Sequence, residues 1–173
     1  MNDYRQRLKE ITTIIFDYDG VLSDGKILFT DDGQQMRNGN VKDGYAIQLA
    51  QKMGLHITII SGANTLGMQS RCEILKIDNA FLGIKDKIHA YEQLKADNNL
   101  KDSEILFMGD DMPDYPVMQK VGVATCPADA ANDIKSIAHY ISHLKGGEGC
   151  ARDVIEQVLR AKELWMVPEA FVW

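Results

Sequence analysis

The side chains best equipped for chemistry are carboxylates, and they fall in two clusters. Asp17 and Asp19 follow the apolar run Ile11–Phe16 and precede Gly20. Asp110, Asp111 and Asp114 follow a second apolar run, Ile105–Met108, in the segment GDDMPD. Residues two apart lie on the same side of an extended chain, so Asp17 and Asp19 are expected to converge where the first run leaves the core. Four or five acids drawn to one place repel one another unless a cation sits among them. Oxygen donors without histidine or cysteine favour Mg2+ over zinc. That ion commonly takes one or two carboxylates and fills its shell with water and phosphate oxygens, so the acids themselves imply a phosphorylated substrate. Ser61, with the backbone N–H groups of Gly62 and Ala63 at an expected helix start, suits phosphate oxygens. Lys87 stands in the right connection to offset the negative charge, and Lys85 is a rival two residues away.

These groups meet only if the chain brings them to one edge. Ile11–Phe16, Leu55–Ile60, Asn79–Leu82, Ile105–Met108 and Val121–Thr125 read as buried strands, with His139–Ser142 a last edge strand. Helices are expected from an Asp43 N-cap to Gly54, over Asn64–Leu75, after Asp86, briefly before Gly122, over Pro127–Ser136, and after Gly146–Gly149. Lys26–Asn38, centred on Asp31-Asp32-Gly33, reads as a β-hairpin. Strands alternating with helices over short connections predict an α/β fold, a doubly wound, Rossmann-like parallel sheet with right-handed crossovers. The carboxyl ends of its strands share one edge, where the acids and Ser61 gather. No segment is long enough for a second or cap domain, so residues 1–173 are expected to form one domain with an apolar tail over 165–173.

The bulk properties narrow the partners. A chain of 173 residues with a net charge of −6 argues against a nucleic-acid partner, though not against a small anionic substrate. No apolar run reaches membrane-span length, and MNDYRQRLKE lacks the apolar core of a signal peptide. Cys72, Cys126 and Cys150 are odd in number and far apart, which suggests neither disulfides nor a zinc site and makes a reducing cytoplasm the expected location.

DYDGV, Ser61-Gly62, Lys87 and GDDMPD, in this order, resemble the four motifs of the haloacid dehalogenase superfamily of aspartate-dependent phosphatases, and the missing cap resembles its capless subgroup. Within it, the order VLSDG, NVKDG, SG, GxxxK, GDDMPD and GGEGCAR is similar to that of phosphatases of keto-sugar acids in lipopolysaccharide synthesis. The substrate this implies is 3-deoxy-D-manno-octulosonate 8-phosphate, with a nine-carbon keto-sugar-acid 9-phosphate as the alternative. The resemblance further implies that Asp17 attacks phosphorus and that Asp19 protonates the leaving oxygen and then activates water. Asp17, the backbone carbonyl of Asp19, and Asp110 would hold Mg2+. Ser61 and Lys87 would hold the phosphoryl group, with Asp111 and Asp114 supporting metal and lysine. It implies a homotetramer in which a neighbouring subunit covers the site, with the hairpin and the tail as the surfaces for that packing. Arg71 and Arg152 are candidates for a sugar-acid carboxylate, and Asn40 and Asp43 for sugar hydroxyls. One departure is Ala63, where this group often carries arginine and the nine-carbon enzymes an acidic residue. A competing reading, a phospho-accepting signalling receiver, also gathers acids, a hydroxyl and a lysine at strand ends, but DYDG and GDDxxD count against it.

Overall fold

The computed structural model describes residues 4–77 and 79–172. The elements run α1 (Tyr4–Arg7), β1 (Thr13–Phe16), β2 (Leu28–Phe29), β3 (Gln35–Met36), α2 (Val41–Lys52), β4 (His56–Ser61), α3 (Leu66–Ile74) and β5 (Asn79–Leu82). Then follow α4 (Lys87–Asn98), β6 (Ile105–Met108), α5 (Tyr115–Met118), β7 (Val123–Cys126), α6 (Asn132–Ile137), β8 (Tyr140–Ile141) and α7 (Cys150–Ala161).

Six strands form one parallel sheet in the order β5-β4-β1-β6-β7-β8. β1 lies inside it, and all four of its residues are buried. Its side chains alternate between two cores, as a period of two demands. Ile14 and Phe16 join a core with Ile47, Met68, Val154 and Val158 from α2, α3 and α7. Ile15 joins a core on the opposite face with Tyr91, Leu94 and Val117 from α4 and α5. A strand buried on both faces favours a continuous apolar stretch, which is why Ile14–Phe16 carries no alternation. Phe16 is in register with Ile59 of β4 and Met108 of β6. The first polar groups after these strands therefore emerge level with one another. This is the doubly wound sheet expected from the strand–helix alternation.

Several boundaries differ from expectation. Asp43 is not the N-cap of α2. Asn40 is, and its side chain accepts the N–H of Lys42 at 2.8 Å. Asp43 sits instead in the first turn, buried, and accepts the N–H of Arg152 at the start of α7 at 2.7 Å. α3 starts at Leu66, with Thr65 as its cap, two residues later than Asn64. α6 occupies only the later part of Pro127–Ser136 and ends at Ile137. The hairpin is present, but its strands are two residues each and expose Leu28, Phe29 and Met36.

The tail lies along α2. Trp165 is 7% exposed and belongs to the core, the Tyr45 hydroxyl donates to the carbonyl of Ala170, and Lys52 Nζ donates to that of Val172 at 2.8 Å. Met166, Phe171 and Val172 remain exposed, and Trp173 lies outside the described residues. Among the described residues no helix is long and apolar enough to cross a membrane.

Candidate active site

Asp17 follows β1 in extended conformation, and its N–H continues the sheet by donating to the carbonyl of Met108 at 3.0 Å. The chain then turns at once. Gly20 adopts φ +89°, and a Cβ there would lie 2.0 Å from Asp110 Oδ2. Only glycine lets the first loop pass this close to the carboxylate arriving from β6. Asp17, Asp110 and Asp114 consequently gather with oxygens within 4.8 Å of one another. Lys87, the first residue of α4, points into this cluster with Nζ 2.7 Å from Asp17 Oδ1 and 2.7 Å from Asp114 Oδ1. Asp114 also accepts the N–H groups of Asp110 (3.0 Å) and Asp111 (3.4 Å) through Oδ2. It is thus more than a helix cap, since it fixes both the lysine and the loop that carries Asp110.

The electrostatics follow from the crowding. Burial, and then the charge of Asp114, push Asp17 up to about 6 against the pull of Lys87. Burial, Asp17 and Asp114 push Asp110 up to about 8. Burial also raises Asp114. Burial works against the ammonium of Lys87, but Asp17 and Asp114 outweigh it and hold the group above the usual lysine range. Three carboxylates thus face one ammonium, an excess of negative charge in a buried place. A divalent cation is the natural remedy, and an all-oxygen donor set suits Mg2+.

Asp17 and Asp19 do not converge as their spacing implied. The chain is no longer a strand at Tyr18, and Asp19 turns toward the hairpin. Arg37 Nε donates to its Oδ1 at 2.7 Å and Arg37 Nη2 to its Oδ2 at 2.9 Å, and Ser23 Oγ donates to Oδ1 at 3.1 Å. The side chain of Asp19 therefore lies outside the three-acid cluster, although it lines the same cleft. Sequence reasoning missed Arg37, because nothing in QQMRNGN marks a residue that becomes buried only when the hairpin folds over the first loop.

The cleft has a volume of about 540 Å³ and is lined by Asp17, Asp19, Ser61, Gly62, Lys87, Asp110, Asp111 and Asp114, with Lys85 and Ala63 at its wall. Ser61 ends β4 and is buried, and its Oγ accepts the N–H of Ala63 at 3.2 Å. With α3 starting only at Leu66, Gly62 and Ala63 belong to a loop and not to a helix terminus. Asp111 caps the short turn after it, accepting the N–H of Met112 at 2.8 Å.

Asn40, Asp43, Arg71 and Arg152 are not brought to this cleft among the described residues. Asn40 Nδ2 donates to Gly147 at 3.1 Å and Asp43 receives Arg152 N–H, so the pair joins α2 to the start of α7. The guanidinium of Arg152 stacks on the rings of Trp165 (5.1 Å) and Tyr45 (5.6 Å). Arg71 Nη2 donates to the carbonyl of Asn40 at 3.1 Å and passes so close to Gly44 that a Cβ there would lie 2.5 Å away. Arg71 and Arg37 both face a neighbouring groove of about 480 Å³ between the hairpin and α3.

Acids and a lysine at the carboxyl edge of a doubly wound sheet are the arrangement expected of the haloacid dehalogenase-like hydrolases, and comparison with known proteins shows that class. Residues 83–152 match the model of that family. A 3-deoxy-D-manno-octulosonate 8-phosphate phosphatase of Yersinia pestis is 35% identical over 162 residues, covering 94% of this chain and 87% of that protein. The crystal structure of the 3-deoxy-D-manno-octulosonate 8-phosphate phosphatase from Yersinia pestis superposes with a TM-score of 0.91 at 34% identity, covering 94% of this chain and 88% of the other. The Moraxella catarrhalis phosphatase of the same name, solved with magnesium ion, phosphate ion and KDO, has a TM-score of 0.90 at 29% identity and covers 93% and 92%. The chain belongs to the haloacid dehalogenase-like hydrolases, in the branch of these sugar-acid phosphatases.

Proposed function

We propose that the chain is a Mg2+-dependent phosphatase that converts 3-deoxy-D-manno-octulosonate 8-phosphate to 3-deoxy-D-manno-octulosonate and inorganic phosphate. The observation that carries the reading is the seat of Asp17, a buried carboxylate held at 2.7 Å by Lys87 at the strand end of a fold shared with relatives of that activity. Asp17 and Asp110, with the backbone carbonyl of Asp19, would hold Mg2+, and Asp114 and Asp111 support them. When bound, the ion neutralises charge on the cluster and on the phosphoryl oxygens.

The chain's own residues supply the rest. A carboxylate oxygen of Asp17 bonds to phosphorus as the bond from phosphorus to the sugar oxygen breaks, giving an aspartyl-phosphate. Asp19 gives a proton to the departing sugar oxygen. Water then attacks the phosphorus, Asp19 takes its proton, and the bond to Asp17 breaks to release phosphate. Lys87 and Ser61, with the Gly62 backbone, hold the phosphoryl oxygens through both steps. Arg71, open to the groove beside the cleft, is the residue best placed among the four outer candidates to meet a sugar-acid carboxylate.

The protein in this reading is a cytoplasmic homotetramer whose neighbouring subunit closes the cleft. The exposed Leu28, Phe29 and Met36 of the hairpin support that packing, and the three buried free cysteines suit a reducing compartment. The test is phosphate release by the purified protein with Mg2+ from eight- and nine-carbon keto-sugar-acid phosphates. Release from the eight-carbon ester is the expected result, release only from nine-carbon esters would move the substrate assignment, and release from neither would refute it.

A further inference from the structure

We infer that Arg37 is the positioning residue for Asp19, so that the hairpin sets where the acid/base carboxylate points. The inference rests on the role given to Asp19 above. Arg37 follows β3 in a hairpin that otherwise faces solvent, yet its own side chain is only 4% exposed. Arginine is seldom buried unless it is paired, and here the partner is a single carboxylate gripped at two points, 2.7 and 2.9 Å. The two oxygens of Asp19 are not equivalent in this grip. Among the described residues, Oδ1 accepts from Arg37 Nε and Ser23 Oγ, whereas Oδ2 accepts from Arg37 Nη2 alone. Oδ2 therefore retains the accepting capacity that exchange of a proton with the leaving oxygen or with water requires.

Arg37 Nη1 is buried with no hydrogen-bond partner among the described residues, so the grip on Asp19 carries the hydrogen bonding of the guanidinium. Two parallel bonds from the Nε–Nη2 edge fix both the place and the orientation of the carboxylate. Lysine, a point charge without a fork, supplies the charge without that orientation.

The test uses the full chain with Mg2+ and the variants Arg37→Ala and Arg37→Lys, the second of which keeps the buried charge. Turnover is compared on the sugar-acid phosphate, whose alkoxide leaving group needs a proton, and on p-nitrophenyl phosphate, whose phenolate does not. In Arg37→Ala, kcat on the sugar-acid phosphate should fall about 10- to 100-fold with KM little moved. The single-turnover release of p-nitrophenolate should fall less, Arg37→Lys should lie between Arg37→Ala and wild type, and added guanidinium ion should restore part of the loss. Unchanged kcat, or equal losses on both substrates without guanidinium rescue, would overturn the inference. A crystal structure of Arg37→Ala supplies an arm independent of turnover. Asp19 should leave its present position or split between conformers, and an unmoved Asp19 would overturn the inference even if wild-type protein released no phosphate, a result that would count against the functional reading alone.

Discussion

Replacing Lys87 with methionine is the sharpest perturbation of the site. The side chain is 6% exposed and its ammonium touches two carboxylates, each at 2.7 Å, in a cluster of three. Methionine fills similar volume and removes the only cation among these contacts. Breaking a buried ion pair by deleting one partner costs about 3–5 kcal/mol, because the remaining charge is left buried and uncompensated. The acids can take up protons, since Asp17 already sits at about 6 and Asp110 at about 8, so the lower figure of about 3 kcal/mol is expected near neutral pH. For a chain of this size that corresponds to a fall in Tm of roughly 6–12 °C. The measurement is urea unfolding in EDTA, followed by tryptophan fluorescence, in a double-mutant cycle with Asp114→Asn. Asp114 and Lys87 should couple by more than about 1 kcal/mol. With Mg2+ present, kcat should fall about 10²- to 10³-fold, as it does when a preorganised electrostatic donor is removed. A loss below about 1 kcal/mol together with kcat within about threefold of wild type would refute the reasoning, because the cluster would then not depend on its lysine.

Three further outcomes test other parts of the site. Asp17→Asn should lower turnover about 10⁴-fold or more while leaving the circular dichroism spectrum unchanged; retained turnover removes Asp17 as the nucleophile. Asp17 and Asp110 have folded-state pKa values raised above their ordinary range, so their contribution to stability is full at acid pH and is lost as pH rises through about 6 and about 8. In EDTA the protein should therefore lose stability as pH rises from about 4 to about 8, with Asp17 contributing about 3 kcal/mol of the loss between about pH 4 and 6 and Asp110 continuing it toward pH 8, and Mg2+ should flatten the profile; equal stability across that range without the ion contradicts the account. Gly20→Ala, which drives a Cβ into Asp110 at a left-handed φ, should cut kcat about 100-fold with a smaller effect on KM, as measured by steady-state phosphate release.

The sequence by itself determined the sheet and most of the acid cluster. Ile14–Phe16 and Ile105–Met108 are apolar without alternation, and a short strand with that character has stable burial only inside a parallel sheet covered on both faces. Once those strands are parallel neighbours in register, Asp17 and Asp110 emerge close together, and Lys87 at the start of the helix after β5 is close enough to reach Asp17 and Asp114. Local chemistry also marked Gly20 and the turn at Asp31-Asp32-Gly33. What depends on pairing across distance was not legible. Asn40, and not Asp43, caps α2, because Asp43 is needed by the N–H of Arg152 more than a hundred residues later. Asp19 lies two residues from Asp17 yet turns to Arg37, because the backbone leaves the strand at Tyr18 and the hairpin brings a guanidinium to meet it. Periodicity reports which face of an element is buried. It carries no information about which charged side chain from another segment will share that burial, and here that choice, made only in the folded chain, gives the two aspartates different partners, Lys87 for Asp17 and Arg37 for Asp19.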